Sequence, residues 1–561
     1  MNSDWSKAGI PLARPGLVPW PEEYVDRYVR TGYWRGVALG AGPWEWARRY
    51  GPDTALVDGP TRITYQELAE QTDALAARLL ACGLMPGDNI AVQLPNCWEF
   101  VVLFLACQRI GVAPALVVPQ YRDRELLYFV DRIEATAIVV QETWRDHDQR
   151  ALAGRVAERA ARTPRVLVVG QTQDADLDLR PKPREDSDVI AVRRTLDRFA
   201  PEPGDAALFL LSGGTTGTPK IIARTHDDYD CSIRFSAEAC DYGPNVVFLA
   251  ALPVAHGLTL GGPGVLGTLY SGGRVVFAPT PHPQSGFPLI QSEHVTTTAV
   301  TPAVAQRWLD AKPFSEFDLG SLEVVQVAGA QLPPEVAVRI ETMLGCRVQQ
   351  VYGMSEGLHC YVRSDDPPEV ALHTQGRPIC PDDELLIVDG AVPCTGTAVE
   401  PGAVGELLVR GPTTIRGYFA APETDEHSFT PGGWYRTGDL VRQNPSGHLN
   451  VIGRLTDMIN RGGEKFAAEE VESALLGLSQ VRQLSVVPYP DAELGERVCV
   501  CVVLPSGQDL DLDQVREVCA KAGLAEFKTP ERLVQVDALP LTPIGKVDKP
   551  ALRSRIADKA T

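Results

Sequence analysis

The sequence predicts an α/β protein with an appended α+β unit. A large N-terminal domain of stacked β-α-β-type subdomains plus a β-rich unit is followed by a small α+β C-terminal domain. Three observations predict this. From Ala55 onward, short apolar runs alternate with helically spaced segments, the pattern of parallel strands joined by helical crossovers. Residues 380–452 are dense in β-branched residues, glycine and proline, which suits a separate antiparallel unit. Past Gly453-Arg454-Leu455-Thr456-Asp457 the character changes again, leaving about one hundred residues, a plausible domain size. The domains are therefore drawn at 1–454 and 455–561, and 561 residues exceed what one hydrophobic core organises.

In chain order, residues 1–50 are rich in Trp, Pro and Arg (Trp20, Trp34, Trp44, Trp46) and read as short helices draped over the body. Residues 55–58 and 61–64 suggest a hairpin. Residues 65–82 have helical spacing, with Thr64 as N-cap. A strand is expected over 90–94, an apolar helix over 100–110 and a strand over 112–118. The polar residues 171–190 read as a surface excursion. Residues 206–211 form an apolar run short enough for a buried strand, and a helix is expected from His226 to Cys240. Further strands are expected at 246–252, 274–277, 324–330 and 347–353. The last two end in Gly and small residues, where ligands meet α/β sheets. In the C-terminal unit, helices are expected over 467–476 and 512–522, with strands around 485–487 and 498–504.

A net charge of −19 disfavours nucleic acid or an anionic membrane as partner, so an anionic substrate must be drawn by local donors. Twelve scattered cysteines with no CxxC favour reduced thiols over disulfides or zinc. The N-terminus lacks a signal-peptide pattern and no apolar run reaches membrane-spanning length, so a cytoplasmic, soluble protein is expected.

The chemistry centres on Ser212-Gly213-Gly214-Thr215-Thr216-Gly217-Thr218-Pro219-Lys220. Glycines let backbone N–H groups converge on an anion, while hydroxyls and an ammonium add donors, which is what a triphosphate needs. It is not a Walker A loop, because Lys220 lacks the preceding Gly and following Ser/Thr. A surface turn is the alternative for such a loop.

The order of motifs is more specific than any one of them. After Ser212–Lys220 come Pro253-Val254-Ala255-His256, Tyr352-Gly353-Met354-Ser355-Glu356, Tyr435-Arg436-Thr437-Gly438-Asp439, Gly453-Arg454 and Pro543-Ile544-Gly545-Lys546. This order, spanning essentially the whole chain, resembles the adenylate-forming superfamily of acyl-CoA synthetases, luciferases and nonribosomal peptide synthetase adenylation domains. Arg224-Thr225-His226-Asp227-Asp228-Tyr229 and Asn460-Arg461-Gly462-Gly463-Glu464-Lys465 are similar to its stand-alone aryl-acid branch, the 2,3-dihydroxybenzoate– and salicylate–AMP ligases. The resemblance implies two half-reactions: a carboxylate attacks ATP to give acyl-AMP and pyrophosphate, and a thiol then takes the acyl group. It implies that Ser212, Gly213, Thr215, Thr216 and Lys220 hold phosphates, and that Glu356 carries Mg²⁺. It implies that Tyr352 stacks on adenine with Gly329-Ala330 on the other face, that Asp439 binds the ribose, and that Arg454 donates nearby. Lys546 and His256 are the implied catalytic residues, with Lys546 bridging the acid carboxylate and the α-phosphate. The C-terminal domain is implied to be mobile about Thr456, with Gly462-Gly463 then bordering a thiol channel. The implied acceptor is a separate phosphopantetheinylated carrier protein, or coenzyme A, since no carrier domain is appended before Thr561.

The acid pocket departs from the branch. Where those relatives usually carry Asn, an aromatic and often Ser, this sequence has Gly257, Leu258 and Gly262, and the small-to-aliphatic position is His359. With Val351 and Ala330, these positions suit something larger than one hydroxybenzoate ring, such as a quinaldate- or quinoxaline-2-carboxylate-like acid. Salicylate or 2,3-dihydroxybenzoate is the alternative acid. A non-catalytic nucleotide-binding scaffold and a plain ATP hydrolase are the rival readings of other classes; the presence of both Glu356 and Lys546 speaks against the scaffold.

Overall fold

The computed structural model describes residues 14–169, 186–211, 220–389, 397–462, 464–476, 478, 480–491, 493–505, 507–542 and 546–558. The predicted alternation builds two sheets. In the larger, strands Arg347–Gly353, Val324–Val327, Thr297–Val300, Val247–Ala250, Arg274–Phe277 and Thr54–Asp58 lie side by side and parallel. Antiparallel strands close its edges, including Thr61–Thr64, which completes the expected hairpin. The second sheet runs Ile221–Thr225, Ala206–Leu211, Ala113–Leu116, Asn89–Gln93, Ala137–Gln141 and Arg165–Val169.

Helices Tyr65–Ala81 and Trp98–Arg109 are sandwiched between the sheets, and the main core joins Leu56, Phe248 and Val275 to Val92 and Leu208. Residues 100–109 are buried on every side, which is why that segment is apolar all round. Thr64 caps the helix Tyr65–Ala81: its hydroxyl accepts from the Glu67 N–H while the Glu67 carboxylate accepts from the Thr64 N–H. Each sheet has a second core on its outer face, one against helices Pro283–Glu293, Pro302–Ala311 and Pro334–Leu344, the other against Asp123–Arg132 and Gln149–Arg159.

The β-dense region is an antiparallel sheet of Glu384–Val388, Gly405–Arg410, Tyr435–Gln443 and Leu449–Arg454. The C-terminal unit has its own sheet, drawn wholly from residues 458–535. Helices Ala468–Leu475 and Leu512–Lys521 cover one face of it and Lys549–Asp558 the other. The expected surface excursion ends in the helix Asp186–Leu196, on which Ile190 is exposed and Leu196 reaches the main core; residues 170–185 lie outside the described residues. Past the glycine loop, Ile221–Thr225 form a strand antiparallel to Ala206–Leu211.

Candidate active site

Three parallel strands of the large sheet, two of them adjacent and the third one strand further along, end on the same side, and the chain past each end carries a predicted site residue. Val247–Ala250 leads to His256, Val324–Val327 to Gly329 and Ala330, and Arg347–Gly353 to Glu356. The β-dense sheet adds Asp439 and Arg454, which face each other across adjacent strands. The C-terminal unit adds Lys546. Ser212, Gly213, Thr215 and Thr216 lie outside the described residues, so only Lys220, at the loop's end, is placed.

Lys546 is where the C-terminal unit enters the site. Its backbone is held to the segment before it: the Thr542 N–H donates to the Lys546 carbonyl at 2.7 Å, and Leu541 pairs with Val547. Its side chain passes over Gly329, where an added Cβ would stand 3.1 Å from the Lys546 Cε. Gly329 also has a φ of +93°, so both backbone and space require glycine there. Burial, with Arg454 close by, pulls the Lys546 ammonium below the usual lysine range, while Asp439 and Glu356 act in the opposite direction. His256 caps the short helix Gly257–Gly261: its Nδ1 accepts from the Leu258 N–H at 3.3 Å. Burial and then Lys546 push its pKa down to about 4, so the ring is neutral at physiological pH.

Asp439 is fully engaged in the absence of ligand. Tyr352 donates its hydroxyl to Oδ2 at 2.7 Å, and Arg454 Nε lies 2.9 Å from Oδ1. Glu356 is 7 % exposed, and its Oε1 accepts from the Tyr418 hydroxyl at 2.8 Å. Its second oxygen takes no hydrogen bond among the described residues. Lys220 Nζ sits 4.6 Å from the Tyr418 ring centre and donates to Ser428 Oγ at 3.2 Å.

Behind Glu356 lies a buried arginine without a role in the sequence reading. Arg224 pairs with Asp228 at 2.6 Å and donates to the carbonyls of Ser355 (3.1 Å) and Thr413 (2.9 Å), tying the Glu356 turn to the segment that carries Tyr418. Tyr418 and Arg224 are the functional residues that sequence reasoning missed. Arg224 stands in a quoted motif, but nothing local marks either residue for this site.

Of the residues predicted for the acid pocket, Gly262, Leu258 and His359 lie against one another. Gly262 faces Tyr361 and His359: an added Cβ would lie 3.2 Å from the Tyr361 hydroxyl and 3.3 Å from the His359 Cε1. His359 Nδ1 is within hydrogen-bond reach of the Ser232 (3.2 Å) and Ser236 (3.3 Å) hydroxyls. Burial, Arg224 and His256 together push the His359 pKa down to about 3, so it too is neutral. An added Cβ at Gly257 would meet Leu210 Cδ1 at 3.5 Å and Ser355 Oγ at 4.0 Å, ordinary contacts, so glycine leaves unfilled a space that a side chain could occupy. Leu258 is half-buried against the core, Val351 is buried beside Tyr361, and Ala330 is exposed.

The chain is similar to known proteins along nearly its whole length. Residues 43–419 match the AMP-binding enzyme family, and residues 470–546 match the AMP-binding enzyme C-terminal domain. A salicylyl-CoA synthase / salicylate adenylyltransferase from Streptomyces is 50% identical over 98% of this chain and 99% of its own length. A 2-hydroxy-7-methoxy-5-methyl-1-naphthoate–CoA ligase from Streptomyces carzinostaticus is 48% identical over 97% of each chain. The apo structure of MbtA from Mycobacterium smegmatis superposes with a TM-score of 0.70 at 39% identity, covering 96% of this chain and 99% of that one. Family models matching well over half of the chain, and relatives this similar along nearly its whole length, establish that the chain belongs to the AMP-binding enzyme family.

Proposed function

We propose that this enzyme activates an aryl carboxylic acid with ATP and passes the acyl group to a phosphopantetheine thiol. The observation that carries the reading is the convergence of Lys546, from one domain, on Gly329, His256, Asp439, Arg454 and Glu356 of the other. A nucleotide-binding scaffold has no use for a buried lysine delivered from a second unit.

In the first half-reaction, an oxygen of the acid carboxylate bonds to the α-phosphorus and the bond to the bridging oxygen of pyrophosphate breaks. The carboxylate is already ionised near neutral pH, so no general base is needed and positioning with charge neutralisation does the catalysis. Lys546 bridges the acid carboxylate and the α-phosphate, where charge gathers. His256, neutral and rigid at its helix start, lines the entry to the acid pocket. Lys220, with Ser212, Gly213, Thr215 and Thr216, holds the β- and γ-phosphates. Asp439 exchanges its hold on Tyr352 for the ribose hydroxyls, which frees the Tyr352 ring to stack on adenine over Gly329-Ala330, and Arg454 donates beside them. Glu356 fits a magnesium ion: a hard cation prefers carboxylate and phosphate oxygens, and one oxygen of this carboxylate takes no protein donor among the described residues. Glu356 would hold Mg²⁺, which would supply charge neutralisation for the leaving pyrophosphate.

The acid is a bicyclic one, of the quinaldate or quinoxaline-2-carboxylate kind. The absence of a side chain at Gly257 and Gly262 supports this, and His359, held by Ser232 and Ser236, offers its ring as a hydrogen-bond partner to a ring nitrogen or hydroxyl. The thiol acceptor is a carrier protein in nonribosomal peptide or siderophore-type biosynthesis. A second reading, coenzyme A as acceptor, is favoured by the names of the two relatives at 50% and 48% identity. Both acceptors present the same phosphopantetheine thiol.

Lys546→Ala tests the reading by splitting the half-reactions. Acid-dependent ATP–pyrophosphate exchange falls by about 100-fold or more, while thioester formation from supplied acyl-AMP continues. Equal loss of both steps contradicts the role given to Lys546.

A further inference from the structure

One aromatic side chain touches both of the groups proposed to hold the leaving pyrophosphate. Tyr418 is 1 % exposed. Its ring face carries the Lys220 ammonium at 4.6 Å, and its hydroxyl donates to Glu356 Oε1 at 2.8 Å. Around it the backbone is stitched to both neighbours. The Ile415 N–H donates to the Glu356 carbonyl at 2.8 Å, and the Phe419 N–H donates to the carbonyl of Ile221, next to Lys220, at 2.9 Å. Asp425 fixes the residue from the far side by accepting from the Tyr418 N–H at 2.8 Å, and the Tyr435 hydroxyl lies 3.1 Å from the Tyr418 hydroxyl.

We propose that Tyr418 is a positioning residue that couples the phosphate lysine to the metal carboxylate, its ring seating Lys220 and its hydroxyl aiming Glu356. The proposal rests on the roles given above to Lys220 and Glu356. A carboxylate takes a hydrogen bond on one oxygen without losing its charge, so Tyr418 fixes which oxygen faces the cation. The two halves of the side chain are separable: Tyr418→Phe keeps the ring and removes the hydroxyl, and Tyr418→Leu removes both.

The test uses the full-length chain, an α,β-methylene ATP analogue and Mn²⁺ as the metal probe read by electron paramagnetic resonance. Tyr418→Phe lowers Mn²⁺ affinity in the presence of the analogue by about tenfold, the effect of one hydrogen bond to a charged group, and leaves analogue affinity in EDTA within twofold of wild type. Tyr418→Leu also weakens the analogue in EDTA, by about fivefold, as the lysine loses its ring seat. Tyr418→Phe decides the matter alone if Tyr418→Leu does not fold. Wild-type Mn²⁺ affinity in Tyr418→Phe, or equal loss of metal and metal-free nucleotide binding, overturns the proposal. Glu356→Gln is the reference: if it binds Mn²⁺ as wild type does, the assignment of Glu356 itself falls, and the coupling falls with it.

Discussion

In the proposed acid pocket, a single residue, Gly262, is given the task of setting what is accepted. Its φ is negative, at −119°, so no left-handed backbone demands glycine there. It is needed for space, because a Cβ would press on Tyr361 and His359. Gly262→Ser therefore raises KM for bicyclic acids by about tenfold and leaves salicylate within about twofold, in steady-state kinetics on both substrates. A uniform loss on both would place the pocket wall elsewhere. The residues legible in the sequence were those standing in local motifs: Lys220 after a glycine loop, Glu356 after Tyr352-Gly353, Asp439 after Thr437-Gly438. Tyr418 and Arg224 were not legible. Tyr418 meets Glu356 across 62 positions, and Arg224 meets Ser355 across 131. No local spacing encodes such contacts.

At the scale of elements, the helix His226–Ala239 shows how a site is held from behind. Thr225 and Asp228 cap it reciprocally, and Asp228 also anchors Arg224. Its first residue, His226, is buried, and its Nδ1 accepts from the Leu39 N–H at 3.3 Å. Burial pushes its pKa down to about 4, against an unfolded value near 6.5. Between these values the unfolded chain binds the extra proton, so the folding contribution is intact above pH 6.5 and is lost as pH falls toward 4. At pH 5 the loss is ~2 kcal/mol. His226→Gln removes this dependence: its urea midpoint drops less than that of wild type between pH 7 and pH 5, and an identical drop would assign the acid sensitivity to other groups. Periodicity made most helices and strands legible. It did not reveal the helix Lys549–Asp558, because Lys549-Pro550 reads as the end of a tail, although proline is tolerated in a first helical turn. Nor did it reveal the strand Ile221–Thr225, because Arg224-Thr225 break its apolar run.

In the whole molecule, two parallel-type sheets share a helical layer, a β-dense sheet stands beside them, and a separate α+β unit reaches back with one lysine. The chain carries a net charge of −19, yet Lys220, Arg454 and Lys546 stand at the candidate site, so the local cations run against the global field, as the proposed grip on a triphosphate requires. Fold class was legible because each layer has its own period. The meeting of the two domains was not, because it depends on a surface between them that no periodic pattern encodes. The central claim is that this site joins an aryl acid to AMP, and the most direct measurement is ATP–pyrophosphate exchange by the wild-type enzyme across monocyclic and bicyclic aryl acids. The predicted result is exchange that requires an aryl acid and is fastest with quinaldate-like bicyclic acids. Exchange fastest with salicylate or 2,3-dihydroxybenzoate would contradict the bicyclic pocket, and phosphate release without any acid would contradict acid activation itself.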